Sequence, residues 1–281
     1  CRSKYGDKTI EYANSLYYLA NIEGFTNEKQ VGCKDYRQAA ILLKELIKKQ
    51  LRYMPTNART KYWNDLSDIL WNMTAYAAKI GLKQESFVCD AYNALVFSKG
   101  LLLEAERSMR NLLRQGGAEE DLALYNKMLL LQSRLAEVER TIGKGTEGAN
   151  ELYSQVDQID KQLASRYSFY GNYTQFLNTQ YEDIKNALKE GEVAIDFTDF
   201  KLDSVHCYAA YVLRKEWEYP LLVPLFNQTQ LDSLYNTVNN ITDRLYHFPY
   251  SQSLLKFCWA SLSHYIHLGE TVYYVPAGTL H

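Results

Sequence analysis

The residues whose types suit chemistry are few and scattered. Gly143-Lys144-Gly145-Thr146-Glu147-Gly148 satisfies G-x-G-x-x-G, a spacing that lets backbone N–H groups cradle a pyrophosphate at a helix N-terminus. That chemistry needs a strand before the glycines. A heptad helix precedes them here, so a turn is expected, for which glycine's tolerance of positive φ suffices. His264 and His267, with Cys258 upstream, are metal-ligating types. Helical zinc pairs favour i, i+4 and need a second pair of ligands, so exposed helix-end histidines are expected instead. His206-Cys207 sets a base beside a nucleophile, yet neighbours on a strand point to opposite faces and cannot hydrogen-bond as a dyad. Glu119-Glu120-Asp121 and Asp157/Asp160 suit helix starts and solvent faces, the first group matching the positive end of a helix dipole. Tyr17, Tyr18, Tyr62, Trp63, Trp71 and Tyr76 are of types that line a peptide groove and equally pack between helices, with packing the first expectation. These patterns assign no catalytic, cofactor-binding or metal-ligating residue, and imply no cofactor.

The composition narrows the field further. The chain has 281 residues, 31 Lys+Arg against 33 Asp+Glu and a formal net charge of -2. A nucleic-acid or anionic-membrane partner needs clustered positive charge, which this balance does not offer. No apolar run reaches the roughly 18 residues of a membrane span. With 47% hydrophobic residues the chain can bury a core. Its five cysteines (1, 33, 89, 207 and 258) are widely spaced without C-x-x-C. A reducing, cytoplasmic setting is therefore expected, with a lipoprotein cysteine at Cys1 as the alternative. The N-x-T sequons at Asn72, Asn172, Asn227 and Asn240 are discounted without a signal peptide. Both ends are expected to be cuts from a longer chain.

Helical periodicity fills the N-terminal part. Ile10, Ala13, Leu16, Tyr17 and Ala20 recur at three- and four-residue spacing, as do Tyr36, Ala39, Leu43, Leu46 and Ile47, then Trp63, Leu66, Leu70, Met73 and Ala77. Gly24, Gly32, Pro55 with Asn57, and Gly81 read as breakers, and a helix from about Glu85 to Gln115 ends at Gly116-Gly117. Successive antiparallel helices of this kind build an α-solenoid over 1–115. Within 116–180 a heptad seam follows, Leu124, Met128, Leu131, Leu135, Val138 and Ile142, then Leu152, Val156, Ile159 and Leu163. Two such helices across a short loop predict an antiparallel hairpin. From 181 to 281 the period changes. Val193–Phe197, Tyr208–Leu213, Leu221–Phe226 and Thr271–Val275 read as strands. Helices near Thr229–Tyr246 and Gln252–His267 carry the crossover to the last of them, which implies an α/β sheet.

Two stretches carry a family resemblance. Tyr92-Asn93-Ala94-Leu95-Val96-Phe97-Ser98-Lys99-Gly100-Leu101-Leu102-Leu103 resembles the helix that precedes CHAT domains, the caspase-like cysteine peptidase modules found with tetratricopeptide repeats. Tyr273-Tyr274-Val275-Pro276-Ala277-Gly278-Thr279-Leu280-His281 resembles the early strand motif of that domain. Ala194-Ile195-Asp196-Phe197 and Tyr208-Ala209-Ala210-Tyr211-Val212-Leu213 follow the family's strand order, and Tyr12–Ala20 with Tyr36 and Ala39 is similar to an irregular tetratricopeptide repeat. The resemblance implies a tetratricopeptide-like solenoid at 1–115, a heptad connector at 116–180 and the N-terminal part of a caspase-like α/β domain at 181–281. It implies a regulatory and binding portion of a cysteine peptidase, with a protein or peptide partner on the repeats. The family's catalytic His and Cys would lie beyond His281, which matches the early L-H and not the catalytic histidine, so this chain alone is expected to be inactive. The alternative is a non-catalytic tetratricopeptide-type binding scaffold.

Overall fold

The computed structural model describes residues 6–26, 28–51, 62–63, 66–82, 85–116, 118–141, 146–167, 177–236 and 250–278. The chain is mainly helical, with nine α-helices among these residues and one mixed four-stranded sheet. None of the described helices is long and apolar enough to cross a membrane. The chain divides into two compact units, one of residues 1–41, 68–97 and 179–281, the other of 42–67 and 98–178.

In the first unit, helix α1 (Ile10–Phe25) starts where the Thr9 hydroxyl accepts the Tyr12 N–H at 3.2 Å. Helix α2 (Lys29–Leu51) brings in Tyr36, which is fully buried and donates its hydroxyl to the Ile69 carbonyl at 2.9 Å. Helix α3 (Asp68–Lys79) and the part of helix α4 (Ser86–Gly116) up to Phe97 complete the group. The Tyr36 ring meets Tyr17, Tyr76 and Phe87 at centroid distances of 5.3, 5.0 and 5.9 Å, so one residue joins four helices. Arg37 adds an ion pair to Asp90 at 2.6 Å.

Gly24 and Gly32 are not breakers, contrary to the sequence expectation. Both lie inside helices, where a Cβ would come within 2.6 Å of the Tyr76 ring and 2.2 Å of its hydroxyl respectively. The two glycines form a notch for the ring, so close packing and not helix termination selects them. Gly81, at φ +80, does end its helix, as the spacing predicts.

The sheet follows a short helix, α7 (Tyr181–Ala187), and its order is β3-β2-β1-β4, with β1 (Glu192–Leu202), β2 (Val205–Arg214), β3 (Leu221–Asn227) and β4 (Thr271–Val275). All four expected strands form. β1 and β2 pair antiparallel around Asp203-Ser204, whose φ values of 46 and 71° make the tight turn that suits a strand's twist. β3 pairs antiparallel with β2 at the sheet's edge, where Pro224 costs no ladder bond from the interior. β4 returns parallel to β1, after helix α8 (Gln228–Asn236) and helix α9 (Tyr250–Trp259). The expected helix to Tyr246 is described only to Asn236, and the expected helix to His267 stops at Trp259, with a short 3₁₀ turn at Ser263–Tyr265.

Both faces of this sheet are covered. On one, Val193, Ile195, Phe197, Ala210, Val212 and Val223 pack with Leu262 and Ala277. On the other, Tyr92 of α4 stacks on Tyr211 of β2, and Thr74 of α3 shares a 2.8 Å hydrogen bond with the Tyr211 hydroxyl.

The second unit contains the heptad pair, α5 (Glu119–Thr141) and α6 (Glu147–Tyr167). Met128, Leu131, Val156, Ile159 and Leu163 are buried between them, as expected. Asp121 near the start of α5 pairs with Arg166 near the end of α6, so the helices run antiparallel. The seam begins one residue off the heptad reading: Tyr125 is 4% exposed while Leu124 is only half-buried. Asp121 stands in the first turn of α5, as expected, and is 4% exposed, whereas Asp160, at 2% exposed, does not lie on the solvent face expected for it.

Candidate functional site

The sheet's connectivity picks out one end. In α/β sheets, ligand sites form outside the carboxyl ends of parallel strands, where helix and loop connections diverge. β1 and β4 are the parallel pair, in register from Glu192↔Thr271 to Asp196↔Val275. β4 stops there, while β1 continues to Leu202. After β4 the chain turns through Pro276 onto the Val193–Phe197 face, where Ala277 is buried. Gly278, at φ +54, lies beside Asp199, since a Cβ there would stand 3.3 Å from the Asp199 carboxylate and from the Tyr208 ring.

Asp199 is the acceptor of this site. Its Oδ2 lies 2.9 Å from Nε2 of His206, across the β1–β2 hairpin. The two-residue turn sets Lys201 opposite His206 and Asp199 opposite Tyr208, so all four share one face and the bond runs diagonally. The His206 ring is tilted over the Tyr208 ring at 5.1 Å, and the Tyr208 hydroxyl donates to Gln228 Oε1 at 2.9 Å. Phe226 stacks on Tyr208 at 4.7 Å. The imidazole therefore has a carboxylate that fixes one nitrogen and an aromatic floor that fixes its plane, while about a third of its side chain is exposed. Such a group can position a proton or bind a polar ligand through Nδ1.

A recess of about 250 Å³ opens at this point, lined by Trp71 and Asn72 of α3 and by Asp199, Phe200, Lys201 and His206 of the hairpin. Asn72 donates to the Tyr17 hydroxyl at 3.2 Å. Lys79 is paired with Asp203 at 2.7 Å.

The other candidates are not brought together. Cys207 faces away from His206, as strand alternation requires, and its thiol donates to the Val205 carbonyl at 3.7 Å. Burial raises its pKa, and pushes those of Cys33, Cys89 and Cys258 up to about 11. None is a thiolate at neutral pH. Cys258 sits among Tyr208, Phe226 and Leu231, away from exposed His264 and His267. No cluster of three metal-ligating side chains occurs among the described residues. Of the glycine-rich stretch, 143–145 lie outside the described residues, while Glu147 and Gly148 open α6. Of the aromatics, Trp63 and Tyr76 are buried, whereas Tyr18 is 65% exposed. Sequon residues Asn172 and Asn240, with Cys1 and His281, also lie outside the described residues.

Sequence reasoning missed the Asp199–His206 pair because it weighed His206 only against its chain neighbour. The available signal was Asp203-Ser204: a two-residue turn there fixes the register that joins 199 to 206. No protein-family model matches the chain, and no curated protein or solved structure is significantly similar to it.

Proposed function

We propose that this chain is the regulatory and binding portion of a cysteine peptidase of the CHAT type, acting in a reducing, cytoplasmic setting. Its tetratricopeptide-like helices take a protein or peptide partner, and its sheet is the front of a caspase-like domain whose catalytic His and Cys are supplied by sequence beyond His281. A completed site would cleave a peptide bond through a His-activated thiolate and a thioester intermediate. The observation that supports this reading is β4. It pairs parallel to β1, and Tyr273, Tyr274 and Val275 are exposed, as in a strand built to take further sheet and helix cover. The test is hydrolysis of a fluorogenic peptide library by this chain alone and by a form extended through the following reading frame. Only the extended form is expected to cleave, and a Cys→Ala change in the extension should abolish it. Cleavage by the 281-residue chain itself would contradict the proposal.

A non-catalytic binding scaffold is the second reading. It is favoured by Tyr18 and Ile22 of α1, one turn apart and 65% and 63% exposed, which present an apolar strip of the sort peptide partners cover.

A further inference from the structure

We propose that the joint between α1 and α2 is a proton-operated switch: with a proton on Glu23 the last turn of α1 stays seated against α2 and α3, and without it that turn opens so that the carboxylate reaches water. The inference stands apart from the peptidase reading, because it needs only these three helices. Its first ground is an unmet acceptor. Glu23 lies in the last turn of α1, and its Oε2 is buried with no hydrogen-bond partner among the described residues. A carboxylate oxygen kept from water without a donor is strongly disfavoured, and a neutral carboxyl far less so. The glycine notch puts it there. A Cβ on Gly32 would stand 3.2 Å from the Glu23 Cβ and 3.0 Å from the Ala20 carbonyl, so α1 and α2 approach closely enough to shut the acid in.

The second ground is the charge around it. The groups that face Glu23 are Asp35 of α2 and Glu28 of the joint, both acids, and Tyr76 of α3, a phenol whose own hydroxyl is buried and unpartnered among the described residues. Lys29 and Arg37 are engaged elsewhere, Lys29 with the Ile80 carbonyl at 3.1 Å and Arg37 with Asp90 at 2.6 Å. The Val31 and Gly32 N–H groups at the start of α2 go to the Glu28 carbonyl at 2.9 and 3.1 Å. Glu23 itself stands at the carboxyl end of α1, where the helix dipole opposes a negative charge. Burial, then Asp35, then Glu28 hold its carboxyl above the ordinary value of 4.5. Burial also raises the Tyr76 phenol and pushes the Cys33 thiol beside it up to about 11, so neither supplies charge at neutral pH. The third ground is a local hinge. The Thr26 N–H and hydroxyl both donate to the Glu23 carbonyl, at 3.1 and 2.9 Å, and the hydroxyl accepts the Glu28 N–H at 3.3 Å. These bonds hold the turn together while it leaves the notch, the kind of local opening that a single charge biases. A folded-state pKa above the unfolded one gives stability that is full below 4.5 and is lost as pH rises through the folded value.

Two measurements on the full chain test it. In the first, the side-chain carboxyl of Glu23 is titrated by ¹³C NMR, and its midpoint is expected above 4.5. In the second, amide hydrogen exchange over residues 20–26 is followed at pH 4 and pH 7 and corrected for the intrinsic effect of pH on exchange. The parent is expected to exchange several-fold faster at pH 7 than at pH 4. Glu23→Gln, which keeps the shape of the neutral acid, should hold the slow rate at both. A Glu23 midpoint at or below 4.5 overturns the proposal. Equal corrected exchange at the two pH values in the parent overturns it as well, since the proton would then bind without moving α1. The same rise in Glu23→Gln as in the parent overturns it in favour of another titrating group.

Discussion

Tyr92 and Tyr211 lie ring on ring, with centroids 4.9 Å apart and planes 20° from parallel, and they bind α4 to the middle of the sheet. Both rings are buried. Each hydroxyl has a partner: that of Tyr92 donates to Asp196 Oδ2 at 3.3 Å, and that of Tyr211 shares a hydrogen bond with Thr74 at 2.8 Å. Burial pushes both phenols well above their ordinary pKa, so they remain neutral. One stack thus joins two helices to two strands with no buried polar atom of either tyrosine left over.

Tyr211→Phe keeps the stack and strands the Thr74 hydroxyl. The expected loss is about 1–2 kcal/mol of unfolding free energy. Tyr92→Ala removes the ring and leaves a cavity, for an expected loss of about 3–5 kcal/mol. Urea denaturation of both variants checks the order; equal effects would show that the hydroxyl, and not the ring, carries the contact.

The notch at Gly24 and Gly32 makes a second prediction. Gly32→Ala drives a methyl into the Tyr76 hydroxyl and is expected to destabilise by more than about 2 kcal/mol. That hydroxyl is buried with no hydrogen-bond partner among the described residues. Tyr76→Phe should therefore stabilise by about 1 kcal/mol and recover part of the Gly32→Ala loss. Additive effects in the double-mutant cycle would separate the two positions.

Ser204 holds φ at 71°, where a side chain is strained and glycine is not. Ser204→Gly should stabilise the hairpin by about 0.5 kcal/mol after glycine's extra unfolded-state entropy is counted. Thermal unfolding reads it as a rise of about 1–2 °C.

Arg214, 6% exposed, is held by the Glu270 carboxylate at 2.9 Å from its first guanidinium nitrogen. The His267 backbone N–H, followed by Arg214, holds the Glu270 carboxyl below its ordinary value of 4.5. A depressed folded-state pKa gives stability that is present above 4.5 and is lost as pH falls through the folded value. Glu270→Gln should therefore be less stable than the parent at pH 7, with the gap closing as pH drops below 4.5. A gap independent of pH would place the effect in packing alone.

Much of the fold was legible from periodicity. The strands at 193, 208, 221 and 271, the heptad pair and the stop at Gly116 all follow from apolar spacing and turn chemistry. What escaped depends on contacts between distant residues. Gly24 and Gly32 carry the breaker's signature, and only Tyr76, far along the chain, shows that they are packing residues. Asp121 is the first-turn acid that the helix-dipole reading expects, but its pairing with Arg166 shows in no local pattern. The site was harder still. Asp199 and His206 meet only through a hairpin register, and the recess needs α3, whose approach to β1 no local pattern encodes.

The central claim is that a sheet ending in β4 is the front of a cysteine peptidase domain. It is tested most directly by expressing the chain together with the reading frame that follows His281 and assaying hydrolysis of a peptide library. The account predicts cleavage that disappears when one cysteine of the added segment becomes alanine and is absent from the 281-residue chain. A following frame that adds no His and Cys pair, or an extended protein that cleaves nothing with its helical partner bound, would contradict it.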